Sequence, residues 1–168
     1  MEKFVYLDCD GCLADFDKFV AEVHPNYDRD SVNKKDFWDP LSKIPNFFYK
    51  LEVLQDCYDM YWRLKNEGVG VEILTALPLP TRHFITAADD KMRWVRDNID
   101  PFAVVHTVVG GKNKVKWLDQ KPNAILVDDY RRNIDLWQEA GGDAVLHKTG
   151  KSDLTYLAVK NIFYNRGL

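Results

Sequence analysis

Phe4-Val5-Tyr6-Leu7-Asp8-Cys9-Asp10-Gly11 decides the reading of this chain. Four strand-forming apolar residues run without a polar break, then stop at two acids and a glycine. Such a run predicts a strand buried on both faces, and Gly11 predicts the tight turn that ends it. The same unit recurs downstream. Val71-Glu72-Ile73-Leu74-Thr75, the stretch 102–109, Ala124-Ile125-Leu126-Val127 and Ala144-Val145-Leu146-His147 read as further strands. Between them apolar residues recur at helical spacing. Leu13, Phe16, Phe19, Val20 and Val23 precede Pro25, and Leu54, Cys57, Tyr58, Tyr61 and Leu64 precede Gly68 and Gly70. Helices are also predicted over 89–99, 114–119, from Ile134 to the Gly141-Gly142 stop, and over 154–163. Continuous apolar strands alternating with helices predict an α/β fold, a doubly wound parallel sheet covered on both faces.

Residues 25–49 break the alternation. They hold Pro25, Pro40 and Pro45 and the aromatics Phe37, Trp38, Phe47, Phe48 and Tyr49, with no clean period. A structureless loop of that length inside a compact domain is unusual. The segment therefore reads as a small, mainly helical cap inserted into a core made of 1–24 and 50–168. The alternative is a surface loop pinned into the core by its aromatics.

With 168 residues, 46% hydrophobic and 29% charged, the chain is one ordinary globular domain and not a disordered segment. Its net charge of −3 gives no basic excess for long nucleic acid or an anionic membrane surface. No apolar run reaches the ~18 residues of a membrane span, and the first residues lead straight into a strand with no signal peptide. Cys9, Cys12 and Cys57 are odd in number and lack a second pair at zinc spacing. A reduced, cytoplasmic protein is expected.

Ligands of such folds lie beyond the carboxyl ends of the strands. There the sequence places Asp8, Asp10, Thr75, Lys112 and Lys114 after Gly110-Gly111, and Asp128 with Asp129. Converging carboxylates repel and need a cation. An all-oxygen set without His or Cys suits Mg²⁺. With a lysine and a hydroxyl, such an ion holds a phosphate. Asp8 can then attack phosphorus, and Asp10 can serve as acid and base. Each residue also has a plainer reading. Asp8 and Asp10 can be turn formers, Asp128-Asp129 a helix N-cap, and Thr75 an ordinary strand end. Lys112 and Lys114 can be solvated charges, and Lys91 reads equally as a solvated charge or a substrate contact. Trp94 and Trp137 read as core. His24, His83, His106 and His147 read as surface or strand-end residues.

The run Tyr6 to Asp15 resembles the first motif of the haloacid dehalogenase-like phosphatases, an apolar strand followed by Asp-x-Asp-Gly. Ile73-Leu74-Thr75 resembles their second motif and Leu126-Val127-Asp128-Asp129 their fourth. More narrowly, Asn46-Phe47-Phe48-Tyr49-Lys50-Leu51-Glu52, Ile73-Leu74-Thr75-Ala76-Leu77-Pro78 and Asp90-Lys91-Met92-Arg93-Trp94-Val95 are similar to the 5'(3')-deoxyribonucleotidases. The resemblance implies a Mg²⁺-dependent nucleotidase working through an aspartyl phosphate. It makes Asp8 the nucleophile and Asp10 the acid/base. Asp8, the main-chain carbonyl of Asp10 and Asp129 would hold the metal, with Asp128 beside them. Thr75 would bind phosphate, as would Lys114 in preference to Lys112, and Phe16 and Phe48 would flank the nucleoside. Ala76 stands where the family has a second hydroxyl, and Leu79 stands near the position of a basic residue in mammalian members. The implied partner is a small nucleotide, with no long nucleic acid and no membrane, and with room for a homodimer. Two other readings remain. One is the same chemistry on a sugar phosphate or a nucleic-acid 3'-phosphate end. The other is a non-catalytic phosphate-binding module.

Overall fold

The computed structural model describes residues 2–24, 34–79 and 84–168, the side chains of 34–36 excepted. Pro25 as a helix stop, residues 25–33 of the expected cap, Pro80 and His83 lie outside the described residues. The chain runs β1 (Phe4–Leu7), α1 (Phe16–Val23), α2 (Lys34–Ser42), α3 (Gln55–Asn66), β2 (Gly70–Leu77) and α4 (Ala87–Asn98). It continues through β3 (Val105–Val109), β4 (Ile125–Asp128), α5 (Arg131–Glu139), β5 (Asp143–Leu146) and α6 (Ser152–Asn165). Two 3-10 helices, Phe47–Lys50 and Gly111–Leu118, complete the described elements. The five strands are parallel and lie in the order β3-β2-β1-β4-β5. The chain winds outward from β1 to β3, then crosses back to β4. The direction of winding therefore reverses between β1 and β4, and this is where such sheets open a crevice.

Strand alternation divides the core into two layers. Val5, Leu7, Val71, Ile73, Ile125 and Val127 face α3, α4 and α6, in one cluster with Met60, Tyr61, Trp94 and Phe163. Phe4, Tyr6, Leu74, Ala124 and Leu126 face the other way, against Ile134 and Trp137 of α5 and Trp117 of the second 3-10 helix. Each fully buried Val, Leu or Ile contributes about 1.5–3 kcal/mol. Burial on both faces explains why β1 and the apolar part of β4 read as unbroken apolar runs. Trp94 and Trp137 are core, as expected. Phe37, Leu41, Phe47 and Phe48 from the expected cap belong to the same buried cluster as the sheet.

Several boundaries differ from the sequence reading. The first helix starts at Phe16, not Leu13, because the amides of Cys12, Leu13 and Ala14 turn back onto the Cys9 carbonyl. Asp15 then caps α1, its Oδ1 accepting from the Lys18 amide at 3.1 Å. The third strand starts at Val105 because Asp100 Oδ1 accepts from the Phe102 amide at 2.9 Å and holds 100–103 in a turn. The segment expected as a helix over 114–119 is the 3-10 helix Gly111–Leu118. His147 stands at the end of β5, the strand-end half of its reading, and is buried. Its amide donates to the Asp128 carbonyl at 2.9 Å, and its Nδ1 lies 3.0 Å from Thr155 Oγ1. Among the described residues no helix is long and apolar enough to cross a membrane.

Candidate active site

Asp8 follows β1 directly and keeps 6% of its surface exposed. Its Oδ1 accepts from the Cys9 amide at 2.8 Å and meets Lys114 Nζ at 2.9 Å. No described residue donates to its Oδ2. The turn beyond depends on Gly11. Its φ of 77° lies in the left-handed region. A Cβ there would also fall 2.2 Å from Asp129 Oδ2. Glycine thus bends the chain and lets the Asp129 carboxylate lie against the turn.

Asp128 closes β4 and is fully buried. Its Oδ2 accepts from Lys114 Nζ at 2.6 Å and its Oδ1 from the Tyr130 amide at 2.8 Å, while Asn133 Nδ2 reaches both oxygens. Asp8, Asp128 and Asp129 each offer an oxygen within 4.8 Å of the others'. The formal charges of Asp8, Asp10, Asp128 and Asp129 exceed those of Lys91 and Lys114 by two negatives. An all-oxygen set with that excess fits one hard divalent cation such as Mg²⁺.

Lys114 enters from the 3-10 helix, which approaches α5 closely. A Cβ on Gly111 would meet Asn133 Oδ1 at 2.4 Å. Trp117 anchors the same helix on Tyr6 and His106, at ring separations of 5.9 and 3.9 Å. Lys114 is 1% exposed. Burial alone would lower its basicity, but Asp128 and Asp8 overcome this and hold the ammonium above its ordinary range. Of the two candidate lysines, the fold brings Lys114 to the carboxylates and leaves Lys112 exposed on the same helix.

Thr75 is buried in β2, and beside it stands a residue whose importance the sequence left open. Lys91, on α4, is 1% exposed. It donates to Thr75 Oγ1 at 2.9 Å and pairs with Asp10 Oδ2. Burial pushes the Asp10 carboxyl up, and Lys91 opposes the shift. The signal for Lys91 was present in the spacing. Ala87, Lys91, Trp94 and Val95 form the buried stripe of α4, and a lysine on an apolar stripe needs a buried partner.

Phe48 is 2% exposed, and Lys91 Nζ stands 4.4 Å above the centre of its ring. Phe16 packs on Phe37, Trp38 and Phe47. Phe47, Phe48 and Phe84 line a cleft of about 230 Å³, together with Asn46, Thr86 and Asp90. None of the four carboxylates lines it, so Phe48 divides the cleft from the Lys91–Asp10 pair.

No protein-family model matches the sequence, and no curated protein matches it. A solved structure does. It is a HAD family enzyme from Bacteroides thetaiotaomicron, crystallised with magnesium and inorganic phosphate. The two share 15% identity over 90% of this chain and 96% of that one, with a TM-score of 0.54. The fold is haloacid dehalogenase-like. At that identity the likeness is one of architecture, and it supports the doubly wound sheet read from the strands.

Proposed function

We propose that the chain is a Mg²⁺-dependent phosphatase acting on nucleoside monophosphates, preferentially deoxyribonucleotides. The observation that carries this reading is the meeting of Asp8, Asp10, Asp128 and Asp129 with two buried lysines and Thr75 at the β1/β4 switch point. The neighbour of like fold, crystallised with magnesium and phosphate, supports it. Asp8, Asp129 and the main-chain carbonyl of Asp10 would hold the ion, with Asp128 adjoining. When bound, the ion offsets the charge of the carboxylates and of the phosphate.

The chain's own residues carry the chemistry. Asp8 Oδ2 attacks phosphorus, and the bond from phosphorus to the ester oxygen breaks. Asp10, its carboxyl raised by burial, gives its proton to the departing oxygen. An aspartyl phosphate remains on Asp8. Asp10 then takes a proton from water, whose oxygen attacks phosphorus and releases Asp8 and phosphate. Lys114 holds Asp8 Oδ1 in place. Thr75 is placed to hold a phosphate oxygen. The aromatic cleft beside Phe48 supports a base-bearing substrate, because a base stacks on such walls with about 1–3 kcal/mol in nucleic-acid binding. Ser42 and residues 44–48 of the expected cap line that cleft.

A phosphate-release screen over nucleoside monophosphates, sugar phosphates and a nucleic-acid 3'-phosphate end, with Mg²⁺, tests the proposal. Nucleoside monophosphates should lead by tenfold or more. Preference for a sugar phosphate would overturn the substrate, and inactivity on every ester would favour a binding module.

A further inference from the structure

The Lys91 ammonium is buried with an incomplete set of partners. It has three N–H donors. One goes to Asp10 Oδ2 and one to Thr75 Oγ1, and among the described residues the third finds only the face of Phe48. A ring face is a weak substitute for an oxygen acceptor around a buried cation. Asp10 is incomplete in the complementary way. Its Oδ1 is buried and has no hydrogen-bond partner. Thr75 Oγ1 already accepts from Lys91, so its own hydrogen points elsewhere and stays available. A vacant ammonium donor, a hydroxyl donor and a carboxyl oxygen thus stand together around Lys91 Nζ. One group that satisfies all three is a phosphate monoester. Its terminal oxygens accept from Lys91 and Thr75, and its ester oxygen faces Asp10.

We infer that Lys91 is a second phosphate-binding cation, on an element packed against the opposite face of the sheet from that of Lys114, and the residue that orients both Asp10 and Thr75. The inference rests on the phosphatase reading for its substrate but not for its anion site. Its geometry distinguishes it from Lys114. Lys114 is tied to Asp8 and Asp128 and fixes the nucleophile. Lys91 is tied to Asp10, which protonates the leaving oxygen, and to Thr75, which holds the transferred phosphate.

Calorimetric binding of inorganic phosphate with Mg²⁺ present tests this without turnover. Lys91→Met should weaken phosphate binding by about 10- to 150-fold, as loss of a hydrogen bond to a charged group does, and should raise KM in step. Lys91→Arg keeps the charge and donors and should recover most of the affinity. If Lys91→Met does not fold, Lys91→Gln replaces it with the same expectation. Unchanged phosphate affinity in a folded Lys91 variant would overturn the inference, as would a wild-type protein that binds no phosphate. Equal loss of affinity in Lys91→Met and Lys91→Arg, with a matching drop in Tm, would also overturn it in favour of a structural role. A wild-type protein that binds phosphate through Lys91 yet cleaves no ester would keep the anion site and remove the phosphatase reading.

Discussion

Two buried charge clusters in this molecule are built from the same residue types and end differently. In one, Asp100 lies at the turn after α4. Its Oδ2 takes Tyr61 Oη at 2.8 Å and Lys65 Nζ at 2.5 Å, and its Oδ1 takes the Phe102 amide at 2.9 Å. Both oxygens of that carboxylate are used. In the other, Asp8 and Asp10 each keep an oxygen without a hydrogen bond, and Lys91 keeps a donor. The first cluster closes on itself and holds a turn. The second is completed only from outside. Burying a polar atom without a partner costs about 1–3 kcal/mol, so an uncompleted cluster that persists points to a ligand.

The comparison is broken most severely at Asp8. Asp8→Asn is nearly isosteric but cannot attack phosphorus, so turnover should fall by about 10⁴-fold or more. Tm should hold or rise, because one of four crowded carboxylates has been neutralised. Retention of activity on purified protein would remove the covalent mechanism. Chelation comes next. EDTA should lower activity by at least about 100-fold, and Mg²⁺ should restore it. Zn²⁺ should not, since no described His or Cys belongs to the cluster of Asp8, Asp128 and Asp129. Full activity in excess chelator would leave the charge excess unexplained. The closed cluster should give the opposite pattern. Asp100→Ala should cost about 1–3 kcal/mol, reduced from the fully buried case because Lys65 is about a third exposed. In a chain of this length that lowers Tm by roughly 2–4 °C per kcal/mol. Its kcat/KM, corrected for folded fraction, should stay within about twofold. A large loss of kcat/KM would link the two clusters.

The smallest effect is on pH. Burial opposes ionisation of Asp100, but Lys65, the Phe102 amide and Tyr61 outweigh it and hold the carboxyl below its usual range. A folded value below the unfolded one stabilises the protein above pH ~4. That contribution is lost as pH falls through the lowered value. Acid titration of stability should therefore steepen below pH ~4, and Asp100→Asn should flatten that limb.

The centre of the sheet was legible because β1 and β4 are buried along their whole length and carry no alternating polar residue. Asp8, Asp10, Asp128 and Asp129 were legible for a related reason. Each stands within three residues of an apolar run, where a topology of this kind puts its ligand. The start of β3 was misplaced because Phe102 and Val104 are apolar and exposed, and only the Asp100 turn excludes them from the strand. Lys91 was ambiguous because its partners lie 16 and 81 residues away in sequence. Its place on the buried stripe of α4 marked it as unusual, but only the docking of α4 onto the sheet shows what it meets. Register with Trp117 and Leu118 favours Lys114 over Lys112, and the 3-10 helix turns Lys114 inward and leaves Lys112 exposed.

Lys91 belongs to the layer that contains Trp94 and Phe163, and Lys114 to the layer that contains Trp117 and Trp137. An anion held by both therefore bridges the two sides of the sheet. Occupancy then acts on the whole molecule through mass action. A phosphate mimic at about 100 times its Kd adds about 2.7 kcal/mol to global unfolding. Amide exchange should slow in α4 and in 111–118 together, although no described hydrogen bond runs directly between them.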